Sequence, residues 1–312
     1  MRTILLGPQR RPTLDFVVRS LDLHGLVATV TAGWQEREPD DGELGQLLGG
    51  RAVNLGLYGR WLDVQERDPE YAAASRAVQE ILSALADLYL LRLDYALQAV
   101  YALQHRSPGG SAGAVAGVVA EAVAAVRELD AAHLLRVNEV RGEFFARLPP
   151  HDRPVIASHR AAVAGLLGPA AALVVAGGHV GVLTEVLHLF NVAAALQSFA
   201  GPVIAWSAGA MALADRIVLF HDRSPEGPGH PEVYGSGLSV VRDVVLLPHA
   251  RARLLLDDTP RMAVFAQRFA PASCVLLEAG TRVEFSGTDG EPPAGTRMLG
   301  ADGHVRLAGE AA

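Results

Sequence analysis

The segment Val203-Ile204-Ala205-Trp206-Ser207-Ala208-Gly209-Ala210-Met211 holds the residue types best suited to covalent chemistry. A buried apolar run delivers a serine into a turn crowded with small residues, and a helix is expected to begin at once. A sharp strand-to-helix turn of this kind thrusts a hydroxyl out of a sheet, which is how a nucleophile elbow works in acyl transfer. Bulky neighbours would clash with the strand or block a substrate. The amide of Ala208 would face the place where an oxyanion forms. The plainer reading is that Ser207 caps the helix that follows it, as serine often does.

A serine nucleophile needs a base to take its proton and a partner that orients the base. Among 11 histidines, His249 stands out because it follows the apolar run Val244-Val245-Leu246-Leu247 and Pro248. Asp222 lies fifteen residues beyond Ser207, just past another apolar stretch, Ile217–Phe220. Gly177-Gly178-His179 ends the run Ala171–Ala176, and glycine there lets a backbone approach a substrate and present N–H donors. Each has an ordinary alternative: a loop histidine, a turn aspartate, a plain strand-to-helix turn. The scattered His105, His133, His151, His159 and His188 have no metal-ligand spacing.

Four such residues can meet only if strands bring them to one edge. Thr3–Leu6, Pro12–Leu23 and Leu26–Thr31 read as a strand, a helix and a strand, with Val53–Leu57 as a third strand, which is the start of a parallel sheet. From residue 153 the same texture returns: a helix capped at Ser158 and running to Leu167, a strand over 171–176, a helix over Val180–Phe199, and strands at Pro202–Trp206, Ile217–Phe220, Val240–Leu247 and Ser273–Leu277. In a parallel sheet the turns at Gly177 and Ser207 emerge at the same C-terminal edge, where ligands bind. The tail, with turns at Thr288-Asp289-Gly290 and Ala301-Asp302-Gly303, reads as β-hairpins closing one edge.

Between the two halves lies a different texture. Glu70–His105 and Gly113–Leu148 are Ala- and Leu-rich with helical spacing, separated by Ser107-Pro108-Gly109-Gly110. We read residues 69–148 as a long helical hairpin inserted into one α/β hydrolase-type domain spanning 1–312. Both helices are apolar over more than a narrow stripe, so they must bury against something, either the site as a lid or a second copy in a homodimer.

Composition narrows the chemistry. Of 312 residues half are hydrophobic and 20% charged, which excludes a disordered chain. The formal charge of −7 argues against a nucleic-acid partner. All 27 basic residues are arginine, so no lysine Schiff base or P-loop lysine is available. The single cysteine, Cys274, excludes an internal disulfide and a multi-cysteine zinc site, and it sits in a strand far from the elbow. The longest apolar runs are broken by charge, as at Arg92 and Asp94, so no membrane span is expected. The short apolar start at Met1–Gly7 does not read as a signal peptide, and the cytoplasm is the expected compartment.

Gly177-Gly178-His179, then Trp206-Ser207-Ala208-Gly209-Ala210-Met211, then Leu246-Leu247-Pro248-His249 resembles the peptidase E and cyanophycinase group of serine hydrolases, peptidase family S51. The similarity spans about residues 150–285 and is faint over 1–60. It implies a class I glutamine amidotransferase-like fold: a mostly parallel sheet flanked by helices, here with the inserted hairpin and a C-terminal β-hairpin region. It further implies Ser207 as nucleophile, His249 as base, Asp222 as the acidic partner, and the backbone of Gly178 and Ala208 as oxyanion donors. Asp215 and His221 lie close enough to Asp222 to compete for its place. The glycine turn of that group typically continues with Asn, and here with His179, which becomes a candidate substrate contact. Arg251 and Arg253, with Arg261 beyond, are the basic groups after the histidine that could pair with a substrate carboxylate. Glu278 matches a late acidic position. The implied activity is cleavage of amide bonds in small peptides, with no cofactor and no metal. Two other readings stay open: a non-catalytic binding or scaffold protein on the same fold, and an α/β-hydrolase-type esterase, from which Ala205-x-Ser207-x-Gly209 differs by one residue.

Overall fold

The computed structural model describes residues 1–9, 13–106, 112–223, 229–288 and 290–310. In chain order the elements are β1 (Arg2–Leu6), α1 (Leu14–Ser20), β2 (Val27–Val30), α2 (Gly42–Leu47), β3 (Ala52–Asn54) and α3 (Leu57–Arg67). The two long helices follow, α4 (Pro69–Gln104) and α5 (Ala112–Arg147), then α6 (Pro154–Leu167), β4 (Ala172–Val175), α7 (Val180–Leu189), α8 (Val192–Gln197), β5 (Val203–Trp206) and α9 (Ala208–Leu213). The last third holds β6 (Arg216–Leu219), β7 (Glu232–Ser236), β8 (Val244–Pro248), α10 (Ala250–Arg253), α11 (Thr259–Phe269), β9 (Ser273–Leu277), β10 (Arg282–Ser286), β11 (Arg297–Leu299) and β12 (Val305–Leu307).

The central sheet has the order β10-β1-β5-β4-β2-β3, and all its pairings are parallel except that of β10 with β1. Alternation along the strands builds two cores. Leu5, Val30, Leu173, Val175, Val203 and Ala205 face the side covered by α3 and α6–α9. Ile4, Leu6, Val27, Val174, Ile204 and Trp206 face α1 and α2. These strands are buried on both faces, which is why they read as continuous apolar runs.

The sequence places β8 and β9 in the same sheet, and there the structure differs. They pair in parallel with each other and belong to a second sheet, β12-β11-β9-β8, while β6 and β7 form a separate ribbon. One face of this second sheet (Val244, Leu246, Val275, Leu277) completes the core that contains α9. Its other face (Val245, Leu247, Cys274, Leu276) is covered by α11 and by Leu93, Leu97, Val123 and Val126 of the long helices. Both cores tolerate a continuous apolar strand, so the run at 244–248 announces burial without naming its neighbours.

Smaller departures have local causes. The helix expected over 180–199 is interrupted where Asn191 takes φ 55°, ψ 39°, and α8 starts anew after it. The helix ending at Leu167 begins at Pro154, a residue whose fixed φ and missing N–H suit a first turn, so Ser158 lies inside it. The expected break at 107–110, the turn residue Asp289 and the helix start at Pro12 fall outside the described residues. The hairpin α4–α5 is tied down at both ends. Asp68 caps α4 by accepting the Tyr71 amide and forms an ion pair with Arg153, just before α6. Deeper in, Tyr89 of α4, Asp130 of α5 and Arg268 of α11 form a buried hydrogen-bonded network that also takes the Val233 amide of β7. Among the described residues no helix is long and apolar enough to cross a membrane.

Candidate active site

Strands β4 and β5 are neighbours in register, so Gly177-Gly178 and Ser207 leave the same sheet edge side by side. Ser207 has φ 50° and ψ −123°, a conformation that costs any residue with a Cβ of order 1–3 kcal/mol and persists only where the surroundings enforce it. The enforcement is visible in the packing. A Cβ built on Gly209 would lie 2.3 Å from the Val175 carbonyl oxygen and 2.6 Å from that of Ala176, so α9 rests directly on the end of β4. Gly178 has φ +125°, and a Cβ there would lie 2.2 Å from the Gly33 carbonyl oxygen.

His249 arrives from the other sheet. It follows the last β8–β9 pair, Pro248 with Leu277, donates its amide to the Leu277 carbonyl at 3.2 Å, and takes a left-handed φ of 59° before α10 begins. Its Nε2 stands 3.4 Å from Ser207 Oγ. That is the outer limit of hydrogen-bond reach, and such pairs commonly tighten when substrate binds. Both residues are half-buried. Neither the Gly178 nor the Ala208 amide donates a hydrogen bond within the described residues. Cys274 lies in the core, where burial pushes its thiol up to about 12, so it is no nucleophile.

Asp222 occupies a different position from the one its spacing suggests. Its carboxylate accepts from Arg261 at 2.7 Å and from the Leu255 amide at 3.1 Å, while its own amide donates to the Arg253 carbonyl. No hydrogen bond joins it to the His249 ring. The reason is topological: β6 lies outside the central sheet, and the chain after it reaches the far end of α10. Glu278, at the end of β9 beside His249, accepts the Arg251 amide at 2.7 Å. The two acids therefore brace opposite ends of the short helix that carries His249 at its head. Asp215, the competing acid, is a half-buried group that burial pushes up.

His179 caps α7: its Nδ1 accepts the Val182 amide at 3.2 Å, and its backbone amide donates to the Gly33 carbonyl at 2.7 Å. The ring is exposed on the rim of the glycine turn. Arg253 is exposed, and Arg261 is committed to Asp222. Arg251 lines a cleft of about 470 Å³ with Arg223, Arg297 and His304. None of these three arginines forms an ion pair among the described residues.

The sequence offers Trp34-Gln35-Glu36-Arg37-Glu38, after β2, as a charged loop that could line the site, and misses Gly33 just before it. Gly33 packs on the Gly177-Gly178 turn, and Gln35 has φ 58° and ψ −125°, nearly the conformation of Ser207. The signal was a small residue at a strand end, Ala32-Gly33, of the kind already singled out at 177–178. Among the described residues no group of three or more His, Cys, Asp or Glu side chains is placed to hold a metal ion.

No family model and no curated protein matches the chain. Among solved structures, the crystal structure of a peptidase from an acI-B1 Actinobacterium aligns with 99% of this chain and 95% of its own, at 14% identity and a TM-score of 0.45.

Proposed function

We propose that the protein is a serine hydrolase that cleaves amide bonds of small peptides, as the resemblance to the peptidase E group implies. One observation carries this reading: Ser207 is held in an elbow conformation with its Oγ 3.4 Å from His249 Nε2. Ser207 attacks the substrate carbonyl while its proton passes to His249 Nε2. The amides of Gly178 and Ala208 receive the oxyanion. His249 then returns the proton to the leaving amine, and water releases the acyl group by the same route in reverse. Asp222 is a positioning residue in this scheme, holding α10 and through it the base. Arg251, in its arginine-lined cleft, offers a carboxylate-binding contact for the peptide, and His179 a contact at the rim.

The test is labelling by a fluorophosphonate probe. The wild type is expected to label, Ser207→Ala not at all, and His249→Ala more slowly by about 10³-fold or more. A folded wild type that stays unlabelled favours the non-catalytic scaffold. Parallel assays of a dipeptide and an ester of the same acyl group separate peptidase from esterase.

A further inference from the structure

The outer face of α4 carries an apolar stripe that none of the described residues covers. Ala77, Ile81, Ala84, Leu88, Leu91 and Tyr95 are all exposed, the four large ones at 49%, 61%, 57% and 66%. Their spacing is 4-3-4-3-4, the 3.5-residue period by which one helix meshes with another. The opposite face of α4, through Val78, Tyr89, Leu93 and Leu97, is already packed within the chain. The stripe spans about 27 Å at 1.5 Å per residue, with no charge along its centre. It ends at Gln98, which donates to Asp94.

We propose that α4 is a dimerisation helix, pairing in parallel with α4 of a second copy of this chain along the seam from Ala77 to Tyr95. The flanking charges choose both partner and direction. On one side of the stripe every flanking position is acidic: Glu80, Asp87 and Asp94. An antiparallel pair sets like flanks together and would line up the acids of both copies. A parallel pair sets each flank against the opposite flank of the partner, five residues on, so Asp87 of each copy meets Arg92 of the other. Both groups are exposed, and neither forms an ion pair among the described residues. The helix is already fixed by its inner face, so association carries no cost of forming it.

Sedimentation velocity on the full chain should show a concentration-dependent dimer. Leu88→Glu combined with Leu91→Glu should raise its dissociation constant by more than about 100-fold, because four leucines leave the interface and four charges enter it. Both residues are exposed in the monomer, so this variant is expected to melt at the temperature of wild type diluted to its monomer. Tyr95→Cys should form a disulfide between copies on mild oxidation, since position 95, at the end of the seam, meets itself only in a parallel pair; Cys274 is buried and does not compete. A monomer at every concentration overturns the proposal. So does a dimer that survives the double substitution, or one whose Tyr95→Cys form fails to cross-link.

Discussion

A Cβ at position 177 would lie 2.9 Å from Ser207 Cβ and 3.5 Å from its Oγ, so Gly177 and Ser207 share a space that holds only one side chain. The glycine defines the position of the hydroxyl as much as the elbow does. Gly177→Ala is therefore expected to push Ser207 aside. A displacement near 1 Å in a reacting group costs about 10²-fold in rate. Fluorophosphonate labelling should slow by that order while the protein stays folded; an unchanged rate would show that the turn yields instead of the serine.

Much of this arrangement was readable beforehand, and what escaped has physical causes. The crowding of small residues at 207–210 reflects contact with the backbone of β4, and small residues are all that such contact permits. That the turns at Gly177 and Ser207 leave one sheet edge was also legible, because both follow apolar runs of a parallel sheet. The placement of Asp222 was not. Sequence distance from Ser207 says nothing about β6 leaving the main sheet, and a carboxylate fifteen residues on can equally meet an arginine thirty-nine residues later. Gly33 was invisible for a related reason: it meets Gly178 across two adjacent strands whose paired residues are 145 apart in the chain.

Asp222 accordingly yields a prediction that separates structure from catalysis. Its carboxylate is fully buried against Arg261, and removing one member of a buried ion pair costs about 3–5 kcal/mol. Asp222→Ala should show that loss in urea unfolding. If Asp222 positions α10, labelling per folded molecule should fall less than in His249→Ala. A loss equal to that of His249→Ala, at unchanged stability, would return Asp222 to a direct role on the imidazole.

Acid should loosen the foot of the hairpin through Asp68. The hydrogen bond from Arg153 holds this carboxyl below the usual range, against the opposing effect of burial. Because the folded pKa is depressed, its stabilisation is complete above the unfolded value of about 3.9 and is lost as pH falls through the folded value. Asp68→Asn should thus be less stable than wild type at pH 7 by about 1–3 kcal/mol. The gap should close toward pH 3. A gap independent of pH would mean that the charge contributes nothing beyond the cap.

The hairpin's deeper attachment rests on Arg268 and Asp130, joined at 2.6 and 2.7 Å by two parallel hydrogen bonds with neither side chain more than 6% exposed. Burial opposes the Arg268 charge, and the pairing with Asp130 more than offsets it, so the guanidinium stays charged inside the core. Tyr89 donates to Asp130 and accepts from both Arg268 and the Val233 amide, which ties α4, α5, α11 and β7 at one point. Asp130→Ala strands a buried cation and should cost about 3–5 kcal/mol. Tyr89→Phe keeps the ring and the ion pair but leaves the Val233 amide without its acceptor, and should cost about 1–3 kcal/mol. Because both residues belong to one network, the double variant should lose less than the two single losses added together. Strict additivity in urea unfolding would show that the tyrosine and the ion pair act independently.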